Sequence, residues 1–163
     1  MTNHAEPAWL TDRLTRTVAL ATAEVEAGGI PFAGLVTDAR GTVLGTGVNR
    51  VRAHRDPTAH AEIVALRAAA RDHGPHALAG ATLLASGEPC PLCYVTALWS
   101  GIGRIVFAAD RHAAAAAGFD YASSYDLFAV PVERWRLSPL HLPVDSAQEP
   151  FDAWLTRLNR SIA

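Results

Sequence analysis

The spacing of four residues constrains this 163-residue chain more than any other feature. His60-Ala61-Glu62 supplies an imidazole and a carboxylate two positions apart. Pro89-Cys90-Pro91-Leu92-Cys93 supplies two thiols at C-x-x-C spacing, and they are the only cysteines in the sequence. His60, Cys90 and Cys93 make three soft or borderline ligands, with Glu62 left over. Three protein ligands leave the fourth position of a tetrahedral zinc open, which is the arrangement of a catalytic site.

Two competing readings use the same cysteines. C-x-x-C alone also suits a dithiol redox pair, and a zinc held there could be purely structural. Redox chemistry, however, does not require His60-Ala61-Glu62 one helix and one strand upstream. The other histidines (His4, His54, His73, His76, His112 and His141) lack partners at ligand spacing and read as structural or solvated.

The surrounding pattern predicts how these motifs are carried. Trp9 to Ala27 repeats its apolar residues at helical spacing and closes on Gly28-Gly29. Phe32–Thr37 and Thr42–Val48 read as a β-hairpin around Asp38-Ala39-Arg40-Gly41. Asn49–Pro57 reads as a polar loop. Thr58–His73 reads as a helix stopped by Gly74-Pro75, which puts His60 and Glu62 in its first turn. Ala81–Ser86 suits a buried strand, Cys90–Trp99 a helix, and Arg104–Ala109 a further strand. Cysteines three apart at a helix start share a face, and the helix N-terminus favours thiolate, the ligating form. Glu149–Ile162 places Phe151, Trp154, Leu155 and Leu158 at i, i+3, i+4 and i+7 of a terminal helix. The β-β-α-β-α-β order implies an α/β fold with a mixed central sheet and helices on its faces, in one domain spanning 1–163.

Composition removes several function classes. Half the residues are hydrophobic and 18% are charged, a globular balance. No apolar run approaches the roughly 20 residues of a membrane span, and no signal peptide is evident, so a cytoplasmic protein with reduced thiols is expected. The basic residues are all arginine; without lysine there is no Schiff-base catalysis and no lysine-dependent phosphate loop. A formal net charge of −2 argues against a nucleic-acid-binding surface. Arg50, Arg52 and Arg55, with His54, form either a solvated loop or a contact for phosphate.

H-x-E followed by P-C-x-x-C is the signature of the zinc deaminases of nucleobases, and at these residues the chain resembles the cytidine-deaminase-like superfamily. Asp56-Pro57-Thr58-Ala59-His60-Ala61-Glu62 with Glu88-Pro89-Cys90-Pro91-Leu92-Cys93 narrows the resemblance to the branch of bacterial guanine deaminases and tRNA adenosine deaminases. Pro31-Phe32, Ala117-Gly118-Phe119-Asp120 and Pro150-Phe151-Asp152-Ala153-Trp154 resemble the guanine deaminase side. The resemblance implies a three-layer α/β/α sandwich and one zinc per subunit on His60, Cys90 and Cys93. It also implies a homodimer in which the C-terminal helix is exchanged between subunits. Glu62 would take a proton from the attacking water and deliver it to a ring nitrogen and then to departing ammonia. The expected substrate is an aminated heterocycle such as guanine, a related base or nucleoside, or an aminotriazine. Phe32 is the expected stacking wall and Asn49 the ring-edge partner, with Asp120 and Tyr121 as further substrate contacts. Two departures bear on substrate: Tyr121 stands where those relatives carry a second aspartate, and the sequence closes with Ser161-Ile162-Ala163 where a tyrosine would reach the base. The alternative within the same chemistry is a tRNA-editing adenosine deaminase.

Overall fold

Leu35 and Val36 are neighbours in one strand and belong to different cores, because successive side chains of a strand point to opposite faces. The computed structural model, which describes residues 6–131, 134, 135, 137 and 139–162, builds outward from that strand. Its elements are α1 (Ala8–Glu26), β1 (Ala33–Thr37), β2 (Val43–Val48), α2 (Val51–His54), α3 (Ala61–His73), β3 (Thr82–Gly87), α4 (Pro91–Trp99), β4 (Arg104–Ala109), α5 (Arg111–Ala116) and α6 (Glu149–Ile162). Single 3₁₀ segments lie at Pro75–Leu78, Ala122–Ala129 and Asp145–Gln148.

The sheet order is β2-β1-β3-β4. β1 pairs antiparallel with both β2 and β3, while β3 pairs parallel with β4, so the sheet is mixed as expected. On one face Leu35 and Leu84 pack with Leu10 of α1. On the other, Val36 and Leu83 pack with Ala65, Leu66 and Ala69 of α3 and Ala97 of α4. Helices therefore cover both faces, giving the three-layer α/β/α architecture. Each fully buried leucine contributes about 1.5–3 kcal/mol relative to exposure, and Leu35, Leu83 and Leu84 are fully buried.

Two glycines set how closely α3 approaches the sheet. A Cβ on Gly47 would lie 2.5 Å from the Ala65 backbone nitrogen, and one on Gly34 would lie 3.0 Å from the Glu62 Cα. Only glycine at these positions lets the start of α3 rest directly on β1 and β2.

Chain contacts separate two compact units, Met1–Asp126 and Leu127–Ala163. The first holds the sheet and both metal-ligand motifs. The second holds α6, whose Phe151, Trp154, Leu155 and Leu158 are exposed. Among the described residues no helix is long and apolar enough to cross a membrane.

Three differences from the pattern-based reading bear on the site, and the other predicted element ends move by at most one residue. The helix expected from Thr58 begins at Ala61, because the Asp56 carboxylate accepts from both the backbone N–H and the hydroxyl of Thr58 and holds a turn there. His60 is consequently the N-cap, extended at φ −65° and ψ 154°, and only Glu62 lies in the first turn. Likewise Cys90 caps α4 rather than opening it. The polar loop 49–57 contains the one-turn helix α2, started by Val51 N–H donating to the Asn49 side chain.

Candidate metal centre and active site

Helices α3 and α4 point their N-termini at the same spot, and each presents its N-cap side chain there. His60 Nδ1 lies 3.4 Å from Cys90 Sγ and 3.5 Å from Cys93 Sγ, and the two sulfurs are 3.6 Å apart. A tetrahedral zinc with ordinary Zn–S and Zn–N bonds needs edges of about 3.8 Å between sulfurs and about 3.6 Å between sulfur and nitrogen. The observed triangle matches those edges closely, so the donor set fits zinc. These three residues are the one group of metal-ligating side chains found among the described residues.

Electrostatics agree with the geometry. The neighbouring Cys93 thiol, followed by His60, holds Cys90 down at about 4, far below an ordinary thiol. Contact with Cys90, burial and the nearby Glu62 push Cys93 upward. Two sulfurs this close share one proton, and their titration belongs to the pair. A divalent cation takes the place of that proton when it binds, since only the thiolate ligates. Both positive helix ends favour the resulting negative charge.

Glu62 is 5% exposed and sits beside the ligands without belonging to their set. Burial pushes its carboxyl above the usual carboxylate range. A buried carboxyl tuned upward can both take and return a proton near neutral pH. That is the chemistry a hydrolytic site needs.

Glu62, His60 and Cys90 open into a cavity of about 320 Å³, near the small end of the roughly 300–1,000 Å³ range of ligand pockets. Phe32, Asn49, Asp120 and Tyr121 all line it. Phe32 meets Phe119 edge to face at 5.2 Å between ring centres, and its ring lies against Gly87, where a Cβ would approach to 3.1 Å. Asn49 is fixed by its N–H donating to the Phe32 carbonyl, and its side-chain oxygen accepts from Val51 N–H. The amide NH₂ is thereby the group it has left to offer. Asp120 Oδ1 accepts from Ala122 N–H. Tyr121 donates its hydroxyl to the Glu88 carbonyl at 2.6 Å. The side chains of Ser161 and Ile162, and Ala163 altogether, lie outside the described residues.

Several cavity residues were not singled out by the sequence. Glu88 lines the wall, and its carboxylate pairs with Arg111 at 2.7 Å. Ile30, Gly118 and Phe119 complete the apolar part. Phe119 could have been found from its place beside Asp120 in the A-G-F-D run; Arg111 belongs to no motif. Arg50 and Arg52 border a neighbouring cavity of about 610 Å³ that shares Ile30 and Asn49 with the first. Arg50 is already paired there with Glu24 at 2.8 Å. Arg55 is exposed and adopts the left-handed conformation at the end of α2.

Comparison with known proteins extends the match beyond the site. The family model of the cytidine and deoxycytidylate deaminase zinc-binding region matches residues 7–109. The chain is 36% identical to the guanine deaminase of Bacillus subtilis over 148 residues, covering 90% of this chain and 94% of that protein. The crystal structure of the B. subtilis guanine deaminase superposes with a TM-score of 0.83 over 90% of this chain and 94% of that one, at 34% identity. The tRNA-specific adenosine deaminase of Haemophilus influenzae is 36% identical over 61% of this chain and 59% of its own length. A guanine deaminase structure from Nitrosomonas europaea gives a TM-score of 0.60 at 33% identity, covering 68% and 64% of the two chains.

Proposed function

We propose a substrate and a division of labour from one premise: this chain belongs to the cytidine and deoxycytidylate deaminase family of zinc-binding enzymes. It is a zinc-dependent hydrolytic deaminase. Its substrate is a neutral aminated heterocycle of purine size, guanine or a close analogue, and the products are the oxo-heterocycle and ammonia. The observation that carries this reading is Glu62, a buried carboxylate outside the ligand set that faces the same cavity as His60 and Cys90.

His60, Cys90 and Cys93 hold the metal. Zinc, when bound, lowers the pKa of water to about 7 and so supplies hydroxide at neutral pH. Glu62 accepts the proton released as the water oxygen joins the ring carbon, and passes it to the adjacent ring nitrogen. The carboxylate then takes the proton of the new C–OH group and gives it to the amino nitrogen as the C–NH₂ bond breaks, leaving the ring carbonyl and ammonia. Phe32 stacks on the ring and Phe119 holds Phe32 upright. Asn49 offers its amide N–H groups to a ring acceptor, while Asp120 offers a carboxylate to ring N–H donors. Among the described residues lining the cavity, the charged side chains besides His60 and Cys90 are Glu62, Glu88 and Asp120, which favours a neutral N–H-rich base over a phosphorylated substrate.

A second reading, tRNA-editing adenosine deamination, is favoured by the H. influenzae relative and by Arg50 and Arg52 beside the cavity. The net charge of −2 weighs against it. A homodimer with α6 laid against the partner subunit is part of the same proposal; the exposed apolar face of α6 supports it, as do Leu98 and Trp99, exposed at 72% and 85%. Ammonia release measured over guanine, guanosine, adenine, cytosine and aminotriazines tests the main reading. Turnover of guanine or a near analogue, unaffected by moderate salt, is the expected result. Activity only on tRNA, falling steeply with salt, would transfer the assignment to the second reading.

A further inference from the structure

The loop that delivers Cys90 has few backbone donors of its own. Pro89 and Pro91 flank the ligand, and neither has an N–H, so hydrogen bonds can fix this stretch mainly through its carbonyl oxygens. Two tyrosines take those carbonyls in succession. Tyr121 donates its hydroxyl to the Glu88 carbonyl at 2.6 Å, and Tyr125 donates to the Pro89 carbonyl, the residue immediately before Cys90. Tyr121 directly precedes the 3₁₀ segment Ala122–Ala129 and Tyr125 lies within it, so one short stretch of chain supplies both hydroxyls.

Arg111 closes the arrangement. Its guanidinium pairs with the Glu88 carboxylate at 2.7 Å, and its backbone N–H donates to the other carboxylate oxygen at 2.8 Å. The same guanidinium stacks 3.8 Å over the Tyr125 ring. The hydrogen bonds that these three residues make here go to Glu88 and Pro89 rather than to His60 Nδ1 or the cysteine sulfurs. Directly before Tyr121 come Phe119 and Asp120 of the cavity wall.

We propose that Tyr121 and Tyr125 are positioning residues for the metal: together they strap the Glu88-Pro89 carbonyls and so fix the direction of the Cys90 thiolate, with Arg111 holding the Tyr125 ring in register. The strap also links the metal loop to the wall that receives substrate. This inference rests on the reading of His60, Cys90 and Cys93 as zinc ligands. Its consequence is that the strap governs how long the metal stays bound, in the way that outer partners of a ligand typically change metal affinity by about 10–100-fold.

The test uses the full chain loaded with cobalt(II), whose thiolate charge-transfer and ligand-field bands report ligand geometry. Release to excess EDTA is timed for the parent and for Tyr121→Phe, Tyr125→Phe and the double variant, and the melting temperature of each metal-free protein is recorded. Faster release is expected for each single variant, and release about 10–100-fold faster with shifted cobalt bands for the double, while the metal-free proteins melt within a few degrees of one another. Unchanged release and unchanged bands would overturn the strap. So would faster release with parental bands and a matching loss of metal-free stability, which marks a merely structural role. Should the double variant fail to fold, the single variants decide by the same criteria. A parent that takes up no cobalt would overturn the metal reading itself and the strap with it.

Discussion

Three helices of the larger unit start from an extended residue, and the three cap side chains do different work. Asp110 caps α5 in the usual way, its carboxylate accepting from Ala113 N–H at 2.8 Å. His60 and Cys90, at the starts of α3 and α4, make no side-chain cap hydrogen bond and turn toward each other instead. The backbone geometry is nearly shared: ψ is 154°, 166° and 170° at His60, Cys90 and Asp110. The difference lies in the side chain. A helix start can spend its cap on its own stability or on a ligand, and α3 and α4 surrender the cap. Their stability comes from elsewhere, from Ala65, Leu66 and Ala69 in α3 and Ala97 in α4, all buried in one core.

That contrast can be broken at each of its ends. Cys90→Ala removes one of three protein ligands, so zinc measured after dialysis is expected to fall from about one per chain to a small fraction, and turnover with it. Retention of full zinc would mean that Cys90 is not a ligand. Asp110→Ala should do the reverse: lose about 1 kcal/mol of unfolding free energy in urea and leave zinc content untouched. A metal-content change in that variant would blur the distinction between capping and ligating starts.

A smaller effect sharpens the account of α3. The Asp56 carboxylate accepts from Thr58 and pairs with Arg67 at 3.1 Å, and the Thr58 hydrogen bonds lead in holding it down at about 2, below the ordinary 3.8. A depressed carboxyl contributes stability that is present above about pH 3.8 and is lost as pH falls through about 2. Melting temperatures recorded from pH 5 to pH 2 should therefore fall less for Asp56→Asn than for the parent. Parallel curves would show that the turn before His60 does not depend on the charge.

How much of this was legible in the sequence follows from the kind of signal each feature leaves. The strands and α6 were read almost to the residue, since short apolar runs bounded by turns and helical spacing are written into side-chain order, as in Leu35 and Val36 or Phe151 and Leu158. The cluster of His60, Cys90 and Cys93 was legible because metal chemistry restricts residue type and spacing together. Helix starts were displaced by as much as three residues. Propensity runs smoothly from Thr58 into α3, and only the local side-chain hydrogen bonds of Asp56 to Thr58 reveal where the helix begins. Least legible were Arg111 and Tyr125. Their partners are carbonyls and a carboxylate more than twenty residues away, and contacts to backbone atoms leave no pattern in residue identity. Tyr121 was noticed as a departure from its relatives, but the hydrogen bond of its hydroxyl to the Glu88 carbonyl left no trace in the sequence.

The central claim is that the carboxylate left over by the ligand set moves the protons. It is tested most directly by ammonia release from guanine, or from the best amino-heterocycle of the panel, by parent and Glu62→Gln proteins matched for zinc content. The account predicts equal zinc in both and a kcat lower by about 10²–10⁴-fold in the variant, the usual contribution of a positioned proton donor and acceptor. Equal turnover by the two zinc-loaded proteins would contradict it.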